Sequence, residues 1–79
     1  MNKTQSKYLS KCISDLEQMK DELETMRDLF QESYDSKSDK WQESEKGEEL
    51  NERITNMQSA IEYIESAIDD ITNVRGFDY

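Results

Sequence analysis

The sequence predicts an all-α protein, an antiparallel helical hairpin that assembles in pairs into a four-helix bundle. Three observations carry this expectation. The 79 residues include no proline and two glycines, Gly47 and Gly76, so little interrupts a helix. Apolar residues recur in two seven-residue registers, one in each half of the chain. A polar stretch separates the registers and leaves two segments of similar length.

The first helix is expected over about residues 5–36, built on Leu9, Leu16, Leu23 and Phe30 at seven-residue spacing. Cys12, Met19 and Met26 lie three residues after the first three of these and supply the other half of the seam. Cys12, the single cysteine, then reads as a small buried packing residue. Lys20, Arg27, Asp15 and Glu22 flank the seam in the middle of the helix, and Tyr8, Ile13, Leu29 and Tyr34 widen it at the ends.

The connection falls at about 37–44, where Ser36, Ser38 and Ser44 lie among alternating charges. Asp39 with Gln42 three residues on, or Ser44 before Glu45, can cap the start of the second helix. That helix is expected over about 45–75. Its register runs Leu50, Ile54, Met57, Ile61, Ile64, Ile68, Ile71, alternating steps of four and three without a miss. Arg75 suits the negative end of the helix dipole and Gly76 the position just past the last turn. The tail 76–79, with Phe77, Asp78 and Tyr79, is either a short contact motif or a locally packed end. The whole chain, 1–79, is one domain of two matched rods, each about 45 Å long at 1.5 Å per residue.

A lone hairpin of this size buries little, and a single core below about 70 to 80 residues seldom supplies more than a few kcal/mol. Ala60, Ala67 and Val74 stand beside the seam of the second helix, with Tyr63 further round. Small residues at seven-residue spacing let a third helix approach closely. These four residues are therefore the expected interface with a second copy.

Charge narrows the function classes. There are 19 acidic and 10 basic residues and no histidine, for a net charge of −9 and a pI near 4.3. Leu, Ile, Val and Phe number 14, a composition typical of disordered chains, but scattered apolar residues would not fall into two registers. Binding to nucleic acid through phosphates needs a basic surface. Lys3, Lys7 and Lys11 offer one, yet Asp15 to Asp70 carry 18 acids against 6 bases, which outweighs it.

The missing histidines remove the commonest general base and metal ligand. The run Asp35, Lys37, Asp39, Lys40, Lys46 fails as a calcium loop, because lysines stand where ligands and the turn glycine belong. No glycine-rich phosphate loop or nucleophile motif is present. No catalytic, cofactor or metal residue is expected. No apolar run approaches the roughly 18 residues of a membrane span, and the N-terminus lacks the apolar stretch of a signal peptide. The expected location is the cytoplasm.

The acidic surface is the remaining feature. Asp21, Asp28 and Asp35 recur every seven residues on the first helix, flanked by Glu17, Glu24 and Glu32. Like charges four apart, as in Glu17 with Asp21, cost a few tenths of a kcal/mol each. Such a surface has two readings: a solvated face that keeps an oligomeric coiled-coil adaptor soluble, or carboxylates presented to a Lys/Arg-rich groove. Trp41 lies outside both registers. It is either an apolar anchor for that partner or a lid folded over Phe30 or Tyr34.

The junction Lys40-Trp41-Gln42-Glu43-Ser44-Glu45-Lys46-Gly47-Glu48, leading into Ile61-Glu62-Tyr63-Ile64-Glu65-Ser66-Ala67-Ile68, resembles small acidic two-helix proteins of tailed bacteriophages and prophages. The resemblance covers about the C-terminal half. That family carries no assigned chemistry, so no residue role comes with it. It implies a context, the host cytoplasm, in which small acidic phage proteins disable CRISPR nucleases, restriction enzymes or polymerases by covering their nucleic-acid channels. On that implication the chain is an inhibitor or decoy, with Glu17, Asp21, Glu24, Asp28, Glu32, Asp35 and Trp41 as its binding residues.

Overall fold

The structure, a computed structural model, describes residues 2–76. Three helices occur in the order α1 (Lys3–Asp35), the one-turn α2 (Asp39–Gln42) and α3 (Glu45–Arg75). No strand occurs among the described residues. The two long helices pack along each other, and the molecule is a rod with Cα extents of 59 × 15 × 12 Å. Residues 77–79, which include the apolar part of the expected tail motif, lie outside the described residues.

Each helix begins on a side chain that accepts from one of its free backbone N–H groups. Asn2 caps α1 in a reciprocal capping box with Gln5. Ser38 caps α2, its Oγ accepting from the Trp41 N–H at 3.2 Å. Ser44 caps α3, where the Gly47 N–H donates to its Oγ at 3.3 Å, so the serine and not Asp39 starts the second long helix. The Ser44 hydroxyl in turn donates to the Trp41 carbonyl. Gln42 Nε2 reaches back to the Tyr34 carbonyl at 2.9 Å and ties the corner to the end of α1. Gly47 is buried inside the first turn of α3. A Cβ there would collide with the Trp41 and Gln42 carbonyls, so the absence of a side chain is what lets α2 close onto α3. Gly76, the C-cap of α3, has φ −76° and makes no use of left-handed backbone.

The two long helices meet on one seam. Ile13, Ile54 and Ile61 are its buried residues, Ile61 with 1% of its surface exposed. Leu9, Leu16, Leu23, Phe30 and Tyr34 from α1, with Leu50, Met57, Ile64, Ile68 and Ile71 from α3, are half-buried around them.

One expectation for α1 is corrected. Cys12, Met19 and Met26 do not complete the seam: Cys12 is exposed, and Met19 and Met26 keep 47% and 43% of their surface. The residues four after the Leu9 row take their place, namely Ile13, Lys20, Arg27 and Tyr34, all buried or half-buried. The physical reason is on α3. Gln58 and Glu65 stand where Arg27 and Lys20 can reach them, so the two cations enter the seam with partners and avoid burial without compensation.

Candidate functional site

Three polar contacts cross between the long helices: Arg75 Nη1 donates to Ser10 Oγ at 3.1 Å, Lys20 Nζ meets Glu65 Oε1 at 3.5 Å, and Arg27 Nη1 donates to Gln58 Oε1 at 2.6 Å. A step of seven up α1, from Lys20 to Arg27, matches a step of seven down α3, from Glu65 to Gln58. This fixes the antiparallel register. It also sorts the surface into two faces, because the row one residue after each seam row lies on one side of the hairpin and the row three after lies on the other.

The first side is polar throughout. Its rows are Ser10, Glu17, Glu24 and Gln31 on α1, and Asn51, Gln58, Glu65 and Thr72 on α3. A shallow hollow on this side is lined by Glu17, Lys20, Asp21, Glu65, Ile68 and Asp69. Lys20 sits between Glu24 at 3.8 Å and Glu65 at 3.5 Å. Glu17, Asp21, Glu65 and Asp69 thus line one hollow together with Lys20, whose ammonium pairs with Glu65 there and with Glu24 beside it.

The six acids expected on α1 do not form a single row. Glu17 and Glu24 border the seam on the polar side, Asp21, Asp28 and Asp35 form the next row out, and Glu32 lies on the far side of the helix. Some are already engaged: Asp28 accepts from Arg27 Nη2 at 3.0 Å and Asp35 from Gln31 Nε2 at 2.9 Å. Glu17, Asp21 and Glu32 are exposed. Asp15 accepts from Lys11 Nζ at 2.9 Å, and that bond and the carboxylate's charge raise the Lys11 pKa above the usual lysine value. Among the described residues no group of three or more His, Cys, Asp or Glu is arranged to hold a metal ion, and no helix is long and apolar enough to cross a membrane.

Trp41 is half-buried at the corner, with Lys37 Nζ 5.3 Å from its ring centroid in cation–π geometry. It belongs to α2 and stands at the end of the rod, apart from the carboxylate hollow at mid-length.

The opposite side carries residues that periodicity alone assigns to the seam. Its inner rows are Cys12, Met19 and Met26 on α1 and Ala60, Ala67 and Val74 on α3; the next rows out hold Tyr8, Asp15, Glu22 and Leu29 on α1 and Tyr63 and Asp70 on α3. Tyr8, Met19, Met26, Leu29, Tyr63 and Val74 are all exposed large apolar side chains. The expected interface of Ala60, Tyr63, Ala67 and Val74 is therefore one half of a longer apolar face. The signal for the other half is a pair of polar spacings. Lys20 and Arg27 lie seven apart, as do Gln58 and Glu65, and matched polar pairs across a seam displace the neighbouring row from it.

Comparison of the chain with models of protein families, with curated protein sequences and with solved structures finds no match.

Proposed function

We propose that this chain is a non-catalytic protein-binding module: a cytoplasmic helical hairpin that pairs into a four-helix bundle and presents its carboxylates to a basic groove of another protein. In the context implied by the resemblance of its junction, it is a phage-encoded inhibitor or decoy of a host nucleic-acid-binding or defence protein, a CRISPR nuclease or restriction enzyme among them. It acts by occupancy, in stoichiometric amounts, with no turnover, cofactor or metal.

The observation that carries this reading is the uneven placement of charge. Acids crowd the polar side from both helices around Glu17, Asp21, Glu65 and Asp69, while the inner rows of the other side contain no carboxylate from Cys12 to Met26 or from Ala60 to Val74. A face that served solubility alone would need no such division. Carboxylates spaced along a rod oppose the phosphate-binding cations of a nucleic-acid channel. Trp41, beside the acidic Asp39 and Glu43, gives that surface an apolar end.

Reversal of Glu17, Asp21 and Asp69 to Lys tests it. The protein captured from host lysate by the parent chain should be lost, its nucleic-acid binding should be blocked by the parent and not by the variant, and the helical circular-dichroism signal should persist. Capture should also weaken with added salt, since exposed charges are screened over about 10 Å at 0.1 M. A variant that captures and blocks as well as the parent overturns the reading. The second reading, a homo-oligomeric coiled-coil adaptor whose acids only solvate it, is favoured by the exposed apolar side and predicts that outcome.

A further inference from the structure

We infer that the face bearing Cys12, Met19, Met26, Ala60, Ala67 and Val74 is covered by a second copy of this chain, with α1 of each copy lying over α3 of the other. This rests on the pairing proposed above and adds which face is used and how the copies are arranged.

Four observations select a second copy. The chain exposes 6158 Å², about 1,100 Å² more than a compact 9.4 kDa monomer is expected to show. A stable interface takes roughly 800 Å² from each partner, so the contact must run along most of one side of the rod, whose whole Cα extents are 59 × 15 × 12 Å. The inner rows of this face hold no acid in a chain with 19 acidic residues, and Asp15, Glu22 and Asp70 stand only in the next rows out, at its edges, so two copies can meet along the inner rows although each carries −9. The opposite face, with Glu17, Glu24 and Glu65 in its inner rows, would bring six carboxylates together.

Size complementarity selects the arrangement. Lys20 pairs with Glu65 and Arg27 with Gln58, so Met19 lies level with Ala67, Met26 with Ala60 and Cys12 with Val74, each to within one residue. A two-fold axis along the rod places α1 over the partner's α3 at the same level, setting each methionine of one copy over an alanine of the other. Such interdigitation of large and small side chains fills a helix interface evenly. The alternative axis, across the rod, stacks α1 on α1 and α3 on α3. It sets Met19 against Met26 on one side and Ala60 against Ala67 on the other, crowding one pair and leaving the other thin.

The experiment uses the full chain in light scattering and in spin-label distance measurement. The parent should give twice 9.4 kDa. Met19→Glu, at a position already exposed in the single hairpin, should return the mass to that of one chain with its helical signal kept, while Thr72→Glu on the polar side should leave the pair intact. Cys12 should react with a maleimide at least tenfold faster in Met19→Glu than in the parent. A spin label on Lys7→Cys in a Cys12→Ser background should report a separation below about 35 Å, a bundle diagonal of roughly 14 Å plus two label arms. Stacking of α1 on α1 would put the labels about 45 Å apart along the rod. A parent that stays at one chain's mass removes the pairing itself; a pair that survives Met19→Glu, or that reports the longer distance, overturns this face or this arrangement alone. Neither result touches the carboxylate reading, which the Lys reversals test separately.

Discussion

The two sides of the hairpin are built from the same heptads and differ in what borders the seam. On one, Lys20 and Arg27 enter the seam and bond across it to Glu65 and Gln58, surrounded by polar rows. On the other, two methionines, a cysteine, two alanines and a valine border it with no polar contact between them. An isolated hairpin gains nothing from keeping Met19 and Met26 about half exposed while half-burying a lysine and an arginine. The exchange makes sense when the polar side faces water or a charged partner and the apolar side faces another helix. Polar seam residues then act as a selector, since a second copy docked on the wrong face would bury ionic groups at a cost of several kcal/mol each.

The largest effect should come from the seam that both sides share. Ile61, 1% exposed, loses its partners on α1 in Ile61→Ala, at a cost of about 2–5 kcal/mol. At about 4–8 °C per kcal/mol for a domain this small, thermal denaturation monitored by circular dichroism should show a midpoint at least about 8 °C lower. A smaller drop would mean that the two faces, and not the seam, hold the helices together.

The next effect lies at the corner that sets the register. Gly47 has no room for a Cβ against the Trp41 and Gln42 carbonyls, so Gly47→Ala must open the joint between α2 and α3, costing about 1–3 kcal/mol as overpacking does. The consequence reaches the faces. A slip of one residue at the start of α3 rotates the helix by about 100° and carries Ala60 and Ala67 out of line with Met26 and Met19. The variant should therefore melt lower and also lose paired mass in light scattering. Loss of stability with pairing unchanged would show that the register is held elsewhere.

Two helices, their seven-residue periods and the polar connection were legible because each rests on local pattern: no proline, apolar steps of four and three, serines in the connection. The row that completes α1's seam was not. Both Cys12, Met19, Met26 and Ile13, Lys20, Arg27, Tyr34 flank Leu9, Leu16, Leu23 and Phe30, and hydrophobicity alone favours the first set. The choice is made by α3, through Gln58 and Glu65, some 30 to 45 residues away in sequence, which the pattern of one helix at a time does not contain. Asp21, Asp28 and Asp35 were legible as a seven-residue row; that Glu65 and Asp69 join Glu17 and Asp21 around one hollow needed the antiparallel register.

The smallest predicted effect has the opposite sign and tests the selector directly. Lys20 and Arg27 are half-buried, and their pairings with Glu65 at 3.5 Å and Glu24 at 3.8 Å, and with Gln58 and Asp28, lie in partly exposed surroundings where ion pairs are worth about 0–1 kcal/mol. Leucines at both positions would continue the Ile13 row as apolar residues, and at about 25 cal/mol per Å² of buried surface the added burial outweighs the lost pairings. Lys20→Leu combined with Arg27→Leu should therefore raise the melting midpoint by a few degrees, about 1 kcal/mol. The same variant should lose the distinction between its two sides. Light scattering should find species heavier than a pair, since both faces now accept a helix. A variant that melts higher and remains strictly paired would assign the choice of face to the methionine and alanine rows, and would leave the two cations no part in it.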